Sequence, residues 1–134
     1  MSFRDARAVE FEQQLKRVFD RIDSVLEARY GRLYSLHPAR PERGSTGNPE
    51  MDGLFNIGAA FSPGFASLHG PGYLVEVRMA TLDHVPPDVQ EQMEREVADM
   101  LRRWLPEAFP GRELRVDRDG HSFKIYGDLS LGVL

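Results

Sequence analysis

Phe11, Leu15, Val18, Ile22 and Val25 recur at alternating intervals of four and three residues, with Phe19 and Leu26 widening the stripe. That spacing predicts an amphipathic helix over residues 3–30. Ser2 is placed to cap its start and Asp5 falls in its first turn. Arg29 suits the negative end of the helix dipole, and Gly31 fits a left-handed residue just past the end. Residues 31–53 have no periodicity and are dense in Pro, Gly and polar residues, which predicts a long loop. From Leu54 to Phe61 the pattern switches to period two, with Phe55, Ile57, Ala59 and Phe61 on one face, and this predicts a strand.

A second Gly/Pro-rich loop, Ser62 to Gly72, leads into another strand, Tyr73 to Leu82, whose inward set is Tyr73, Val75, Val77 and Met79. Pro86-Pro87-Asp88 opens a second helix, because a first turn tolerates proline. Val89, Met93, Val97, Met100, Leu101 and Trp104 form its apolar face, and Pro106 is expected to end it just after Arg102 and Arg103. Two alternating segments, Glu113 to Arg118 and His121 to Asp128, flank Asp119-Gly120, a strong hairpin signal of type I′. With that dipeptide as the turn, Val116 pairs with Phe123 and Leu114 with Ile125, while Arg115 faces Lys124 and Asp117 faces Ser122. The apolar tail 129–134 either extends the last strand or covers a neighbour.

The element order α-β-β-α-β-β predicts one α+β domain over residues 1–134, a two-layer sandwich with both helices on one face of a mainly antiparallel four-stranded sheet. Two spatial orders satisfy the connections. A crossover from strand 2 to strand 3 that leaves room for strand 4 gives 1-2-4-3, a circularly permuted ferredoxin-like plait; a simple run gives 1-2-3-4.

Composition narrows the function more than it identifies it. The 134 residues contain no cysteine, which removes disulfides, thiol nucleophiles and cysteine-based metal centres. His37, His69, His84 and His121 share no helical ligand spacing, so no metal or cofactor is expected. The N-terminal Met-Ser-Phe-Arg-Asp runs into a charged helix without the apolar core of a signal peptide, and no apolar run is long enough for a membrane span. A cytoplasmic chain without a membrane partner is expected. A net charge of −4 argues against nucleic acid, as does the lack of paired exposed aromatic residues on adjacent strands.

Candidate chemistry concentrates in the first long loop. Arg40 and Arg43 supply guanidinium groups, Ser45 and Thr46 hydroxyls, and Asn48 an amide, among glycines that free backbone N–H groups. Those are the parts of an anion site, although the loop lacks the Gly-Lys-Ser/Thr of a phosphate loop and the strand–helix context around it. Glu42, Glu50 and Asp52 offset its charge. The open sheet face gathers Arg78, Arg115, Lys124 and Tyr126, with Glu76 and Glu113 as internal counter-charges. His121 and Asp128 are seven residues apart in one strand, roughly 23 Å, and cannot form an acid–base pair. Phe61, Phe65 and Leu68 are expected to cover the end of the core.

Two classes of function remain. The first is a homo-oligomeric interaction module without catalytic machinery. A first helix about 40 Å long at 1.5 Å per residue overhangs a domain whose radius of gyration is about 14 Å, and a homodimer through that helix would cover the surplus. The second is an enzyme or sensor that binds a small anionic ligand at Arg40–Asn48, for which no nucleophile or general base is identifiable.

Overall fold

The computed structural model describes residues 6–65 and 67–129. Six elements follow in the expected order: α1 (Ala6–Tyr30), β1 (Phe55–Ser62), β2 (Gly72–Met79), α2 (Pro87–Ala108), β3 (Leu114–Asp119) and β4 (Ser122–Gly127). The proposed cap Ser2 and the first-turn Asp5 lie outside the described residues, as does the tail beyond Leu129.

The four strands form one sheet in the order β1-β2-β4-β3, and every neighbouring pair is antiparallel. This is the permuted-plait order, so β4 fills the gap that the β2–α2–β3 connection leaves. Both helices pack on the same face: α1 lies over β1 and beside α2, and α2 lies over β3. The α1 stripe Phe11, Leu15, Val18, Phe19, Ile22 and Leu26 is buried, as are Met93, Val97, Leu101 and Leu105 of α2. They close on Phe55, Ile57, Val75, Val116, Phe123 and Ile125 from the sheet. Each such large apolar side chain contributes roughly 1.5–3 kcal/mol by leaving water. The seam of α1 is therefore spent largely on its own domain, with Val25 half-buried at its edge.

Three local expectations are corrected. Gly31 is not left-handed; its N–H continues the helical ladder to the Glu27 carbonyl at 2.8 Å, and a Cβ there would sit 2.5 Å from that oxygen. Close approach, not positive φ, calls for glycine. Pro106 does not end α2 but lies inside its last turn. A proline removes only its own N–H, and so near a C-terminus it costs one bond of the ladder; the Phe109 N–H then closes the end on the Leu105 carbonyl at 2.8 Å.

The third correction is the hairpin register. The turn residues are Gly120 and His121, and the pairs are Asp119 with Ser122, Asp117 with Lys124, Val116 with Ile125 and Arg115 with Tyr126. A type I′ turn on Asp119-Gly120 requires positive φ at both residues, yet Asp119 has none and Gly120 stands at φ 66°. One left-handed glycine in the first central position is the requirement of a type II′ turn. The one-residue slide of the turn sets Lys124 opposite a carboxylate rather than opposite Arg115.

Candidate functional site

The loop arginines anchor the loop, and Arg40 also borders a depression lined by His37, Met79 and Thr81. Arg40 spends its guanidinium on backbone carbonyls, donating to Gly53 at 3.0 Å, Glu50 at 2.6 Å, Asp52 at 3.2 Å and Phe55 at 3.0 Å. Arg43 turns toward α1, donating to Asp23 Oδ1 at 2.5 Å and Ser24 Oγ at 3.0 Å, with Asp52 Oδ1 at 4.0 Å. Thr46 caps Asp52 through its backbone N–H and its hydroxyl. Ser45 donates to the Glu42 carbonyl, and the Asn48 side-chain oxygen accepts from Lys16 at 3.0 Å. Arg43 and Thr46 thus meet around Asp52, and the Thr46 hydroxyl also bonds the backbone of Asn48, while Arg40 and Ser45 face other partners. A cavity of about 470 Å³ lined by Arg7, Phe11, Phe109 and Arg112 includes none of the five.

The two carboxylates under this loop have opposite electrostatics. Burial pushes Asp23 up to about 7 against the pull of the Arg43 guanidinium, and its Oδ2 has no hydrogen-bond partner. Burial acts on Asp52 in the same direction, but the hydrogen bonds from Thr46 and the Gly44 N–H, with the Arg43 charge, together outweigh it and hold the carboxyl below its ordinary value. Glu27 accepts the Leu54 N–H on both carboxylate oxygens and ties α1 to the start of β1.

A second cluster sits on the sheet face away from the helices. Lys124 is 1% exposed, although it occupies an alternating polar position of β4. The loop between β1 and β2 folds across it, so its ammonium donates to Ser67 Oγ at 2.7 Å and the Gly70 carbonyl at 2.6 Å and pairs with Asp119 at 2.8 Å. Ser67 donates to the same Asp119 carboxylate and accepts the His69 N–H. The His69 ring stacks on Tyr126 at 4.3 Å, with Nε2 2.9 Å from the Arg118 carbonyl. Tyr126 donates to Asp117 at 2.6 Å. The negative partner required by the basic face is therefore internal, and it is Asp119 for Lys124 and Glu76 for Arg78.

A serine beside a buried lysine invites comparison with a nucleophile and its base. Catalysis of that kind needs a neutral lysine to take the hydroxyl proton. Here Lys124 is ion-paired with Asp119, and Ser67 donates its hydroxyl proton to that same carboxylate. Lys124 and Ser67 together with their hydrogen bonds to Asp119 keep that carboxyl below its ordinary value, which makes it a poor base as well. The cluster is a latch. Among the described residues, no group of three or more His, Asp and Glu side chains is placed to hold a metal ion.

The latch has an outward consequence. With Ser67 and His69 turned to the sheet, Phe65 is 98% and Leu68 87% exposed, and Phe61 at the end of β1 is 57% exposed. The expectation that these three cover the core is corrected: the half-buried Tyr73 packs on Phe11 and leaves Phe61 only an edge contact.

The sheet has two edges, and they differ. In the β1–β2 ladder the Ala80 N–H donates to the Leu54 carbonyl at 2.7 Å, so even-numbered residues of β1 face β2. Phe55, Ile57, Ala59 and Phe61 then turn their N–H and C=O groups outward. Arg40 occupies the Phe55 carbonyl; among the described residues nothing bonds the outward groups of Ile57, Ala59 and Phe61. β1 also carries no charged residue over its eight positions. β3 carries Arg115, Asp117, Arg118 and Asp119, and Arg102 of α2 donates twice to the Val116 carbonyl, at 3.0 and 2.7 Å. Charge and capping are how natural sheets protect an edge from pairing. β3 has both, whereas β1 is capped at the Phe55 carbonyl, buried at Ile57 and open only from Ala59 onward.

A family model described as "Uncharacterised protein" matches residues 6–127. The chain belongs to that family. It is 35% identical over 118 residues to an uncharacterized protein of Borreliella burgdorferi (strain ATCC 35210 / DSM 4680 / CIP 102532 / B31), and the match covers 88% of this chain and 92% of that one. No solved structure matches. The family match spans all six elements, the latch residues and the β1 edge. Among the described residues, no helix is long and apolar enough to cross a membrane.

Proposed function

We propose that the protein is a homo-oligomeric interaction module without catalytic machinery of its own, and that its contact element is the free edge of β1. The observation that carries this is the asymmetry of the sheet: one edge is charged and capped, and the other is uncharged, buried as far as Ile57, and open with unbonded outward groups at Ala59 and Phe61. An unpaired edge of that kind takes up a strand through main-chain hydrogen bonds. The exposed rings of Phe61 and Phe65 beside it add apolar surface. The α1 helix runs over β1, so a partner on this edge also meets α1, in line with the expectation of a dimer involving the first helix.

Amide hydrogen exchange tests the assignment. At high protein concentration the Ala59 and Phe61 amides are expected to be protected about as well as their neighbours Gly58 and Ala60, and to exchange freely on dilution. The outward Arg118 amide of β3 should stay fast throughout. Fast exchange of the Ala59 and Phe61 amides at every concentration would contradict the proposal.

A further inference from the structure

We propose that the outward groove between α1 and α2 binds an acidic, amphipathic helix of a partner protein. None of its residues belongs to β1, and it does not depend on the contact edge. α1 carries two stripes. Phe11, Leu15, Val18 and Ile22 are buried in the core. Arg7, Glu10, Gln14, Arg17 and Arg21 recur beside them at intervals of three and four residues, which keeps them on one face of the helix.

This second stripe walls two adjoining depressions, of about 470 and about 250 Å³, that share Gln14 and Ala108. Trp104 and Glu107 of α2, with Phe109 and Arg112 just beyond it, form the opposite wall. From Arg7 to Arg21 the groove runs about 21 Å at 1.5 Å per residue, roughly four helical turns. Phe11, Val18, Ala108 and Phe109 give it apolar surface. A groove of that length between two helices accepts the apolar face of a third.

Its charge selects the partner. Arg7, Arg17, Arg21 and Arg112 line it against Glu10 and Glu107, in a chain whose net charge is −4. The Arg21 guanidinium lies over the Trp104 ring at 3.8 Å, and that of Arg112 over Phe11 at 5.3 Å. A guanidinium laid on a ring is held through its face, while its N–H groups project along its edge, the part that pairs with a carboxylate. Arg21 also pairs with Glu107 at 3.2 Å, but both side chains are more than half exposed, and such a pair exchanges for an incoming carboxylate at little cost. Arg17 donates to the neutral Gln14 oxygen, at 2.9 and 2.5 Å, and meets no carboxylate among the described residues. Trp104 is the chain's one tryptophan, and tryptophan and arginine are the residues in which interface binding energy concentrates. Glu10 and Glu107 among the arginines oppose a polymer charged at every unit, as nucleic acid is. They suit a segment whose carboxylates alternate with apolar residues.

Selection on the full chain from a random library of displayed peptides of about 15 residues, enough for four turns, reads the preference without a known partner. It is expected to enrich Asp and Glu at intervals of three and four with apolar residues between them. A selected peptide should change the emission of Trp104, and its affinity should fall about tenfold or more in Arg17→Glu/Arg21→Glu, where charge-assisted bonds become repulsions. Arg17→Glu alone, which gives up only an exposed contact with Gln14, serves if the double variant unfolds and should lose several-fold. Ala59→Pro should bind the peptide as the original chain does, which separates this site from the β1 edge. A library that enriches no acidic peptide overturns the proposal, as do acidic peptides that bind the glutamate variants undiminished. Uniform single-stranded RNA that binds the groove more tightly than the selected peptide overturns it in favour of nucleic acid.

Discussion

Replacing Lys124 by alanine is expected to cost about 3 kcal/mol of stability and to release the β1–β2 loop from the sheet. The ammonium is buried and spends all three donors, on Ser67, Gly70 and Asp119. Removing it leaves the Ser67–Asp119 pair without its cation, opens a void the size of the lysine stem, and strands a carbonyl; breaking a buried ion pair from one side typically costs 3–5 kcal/mol. For a domain of this size the loss corresponds to a fall of roughly 10 °C in the melting temperature. Urea unfolding measures the first effect, and limited proteolysis between residues 63 and 71 the second.

Acid should open the same latch. The Asp119 carboxyl is held below its ordinary value by Lys124 and Ser67, so its contribution is complete above the unfolded carboxylate range and is lost as pH falls through the lowered value. A Lys124→Ala protein within about 0.5 kcal/mol of the original, with an equally resistant loop, would contradict the latch.

Replacing Arg40 by alanine is expected to cost about 2–3 kcal/mol, because four carbonyl oxygens from residues 50 to 55 lose a charged donor at once. Arg40→Lys should recover little of this, since an ammonium cannot reproduce a planar fork that reaches several acceptors. Thermal unfolding with and without inorganic phosphate separates a tie from a ligand site. A tie gives a large loss that phosphate leaves unchanged. A loop that holds an anion gives the reverse: little loss in the alanine variant and a phosphate-dependent rise in the original chain that the variant lacks.

The fold was legible where the signal is periodic. The four-three spacing from Phe11 to Val25 found α1, and the period-two runs found all four strands to within a few residues of their ends. The order 1-2-4-3 was one of two that satisfied the connections, and it makes β1 an edge. Features set by a single torsion or by distant chain were not legible. Gly120-His121 and Asp119-Gly120 both fit a two-residue turn, and only the φ of Asp119 separates them. Lys124 alternates with Phe123 and Ile125 as a solvated residue would; its burial depends on a loop more than fifty positions earlier. The arginines at 40 and 43 had the chemistry of an anion site, but residue type does not reveal that carbonyls at 50 to 55 and Asp23 already occupy them. The open positions of β1 needed the ladder itself, since the sequence gives the side-chain face of Ala59 but not the direction of its N–H.

Sedimentation of the full chain against its Ala59→Pro variant tests the central claim most directly. Proline there removes an N–H that faces away from β2 and places a ring on the free edge, so the β1–β2 ladder survives while pairing is blocked. The account predicts that the original chain rises with concentration from 15.2 kDa toward twice that mass, and that the folded variant stays monomeric at every concentration. An original chain that never exceeds the monomer mass, or a variant that associates as strongly as the original, would contradict it.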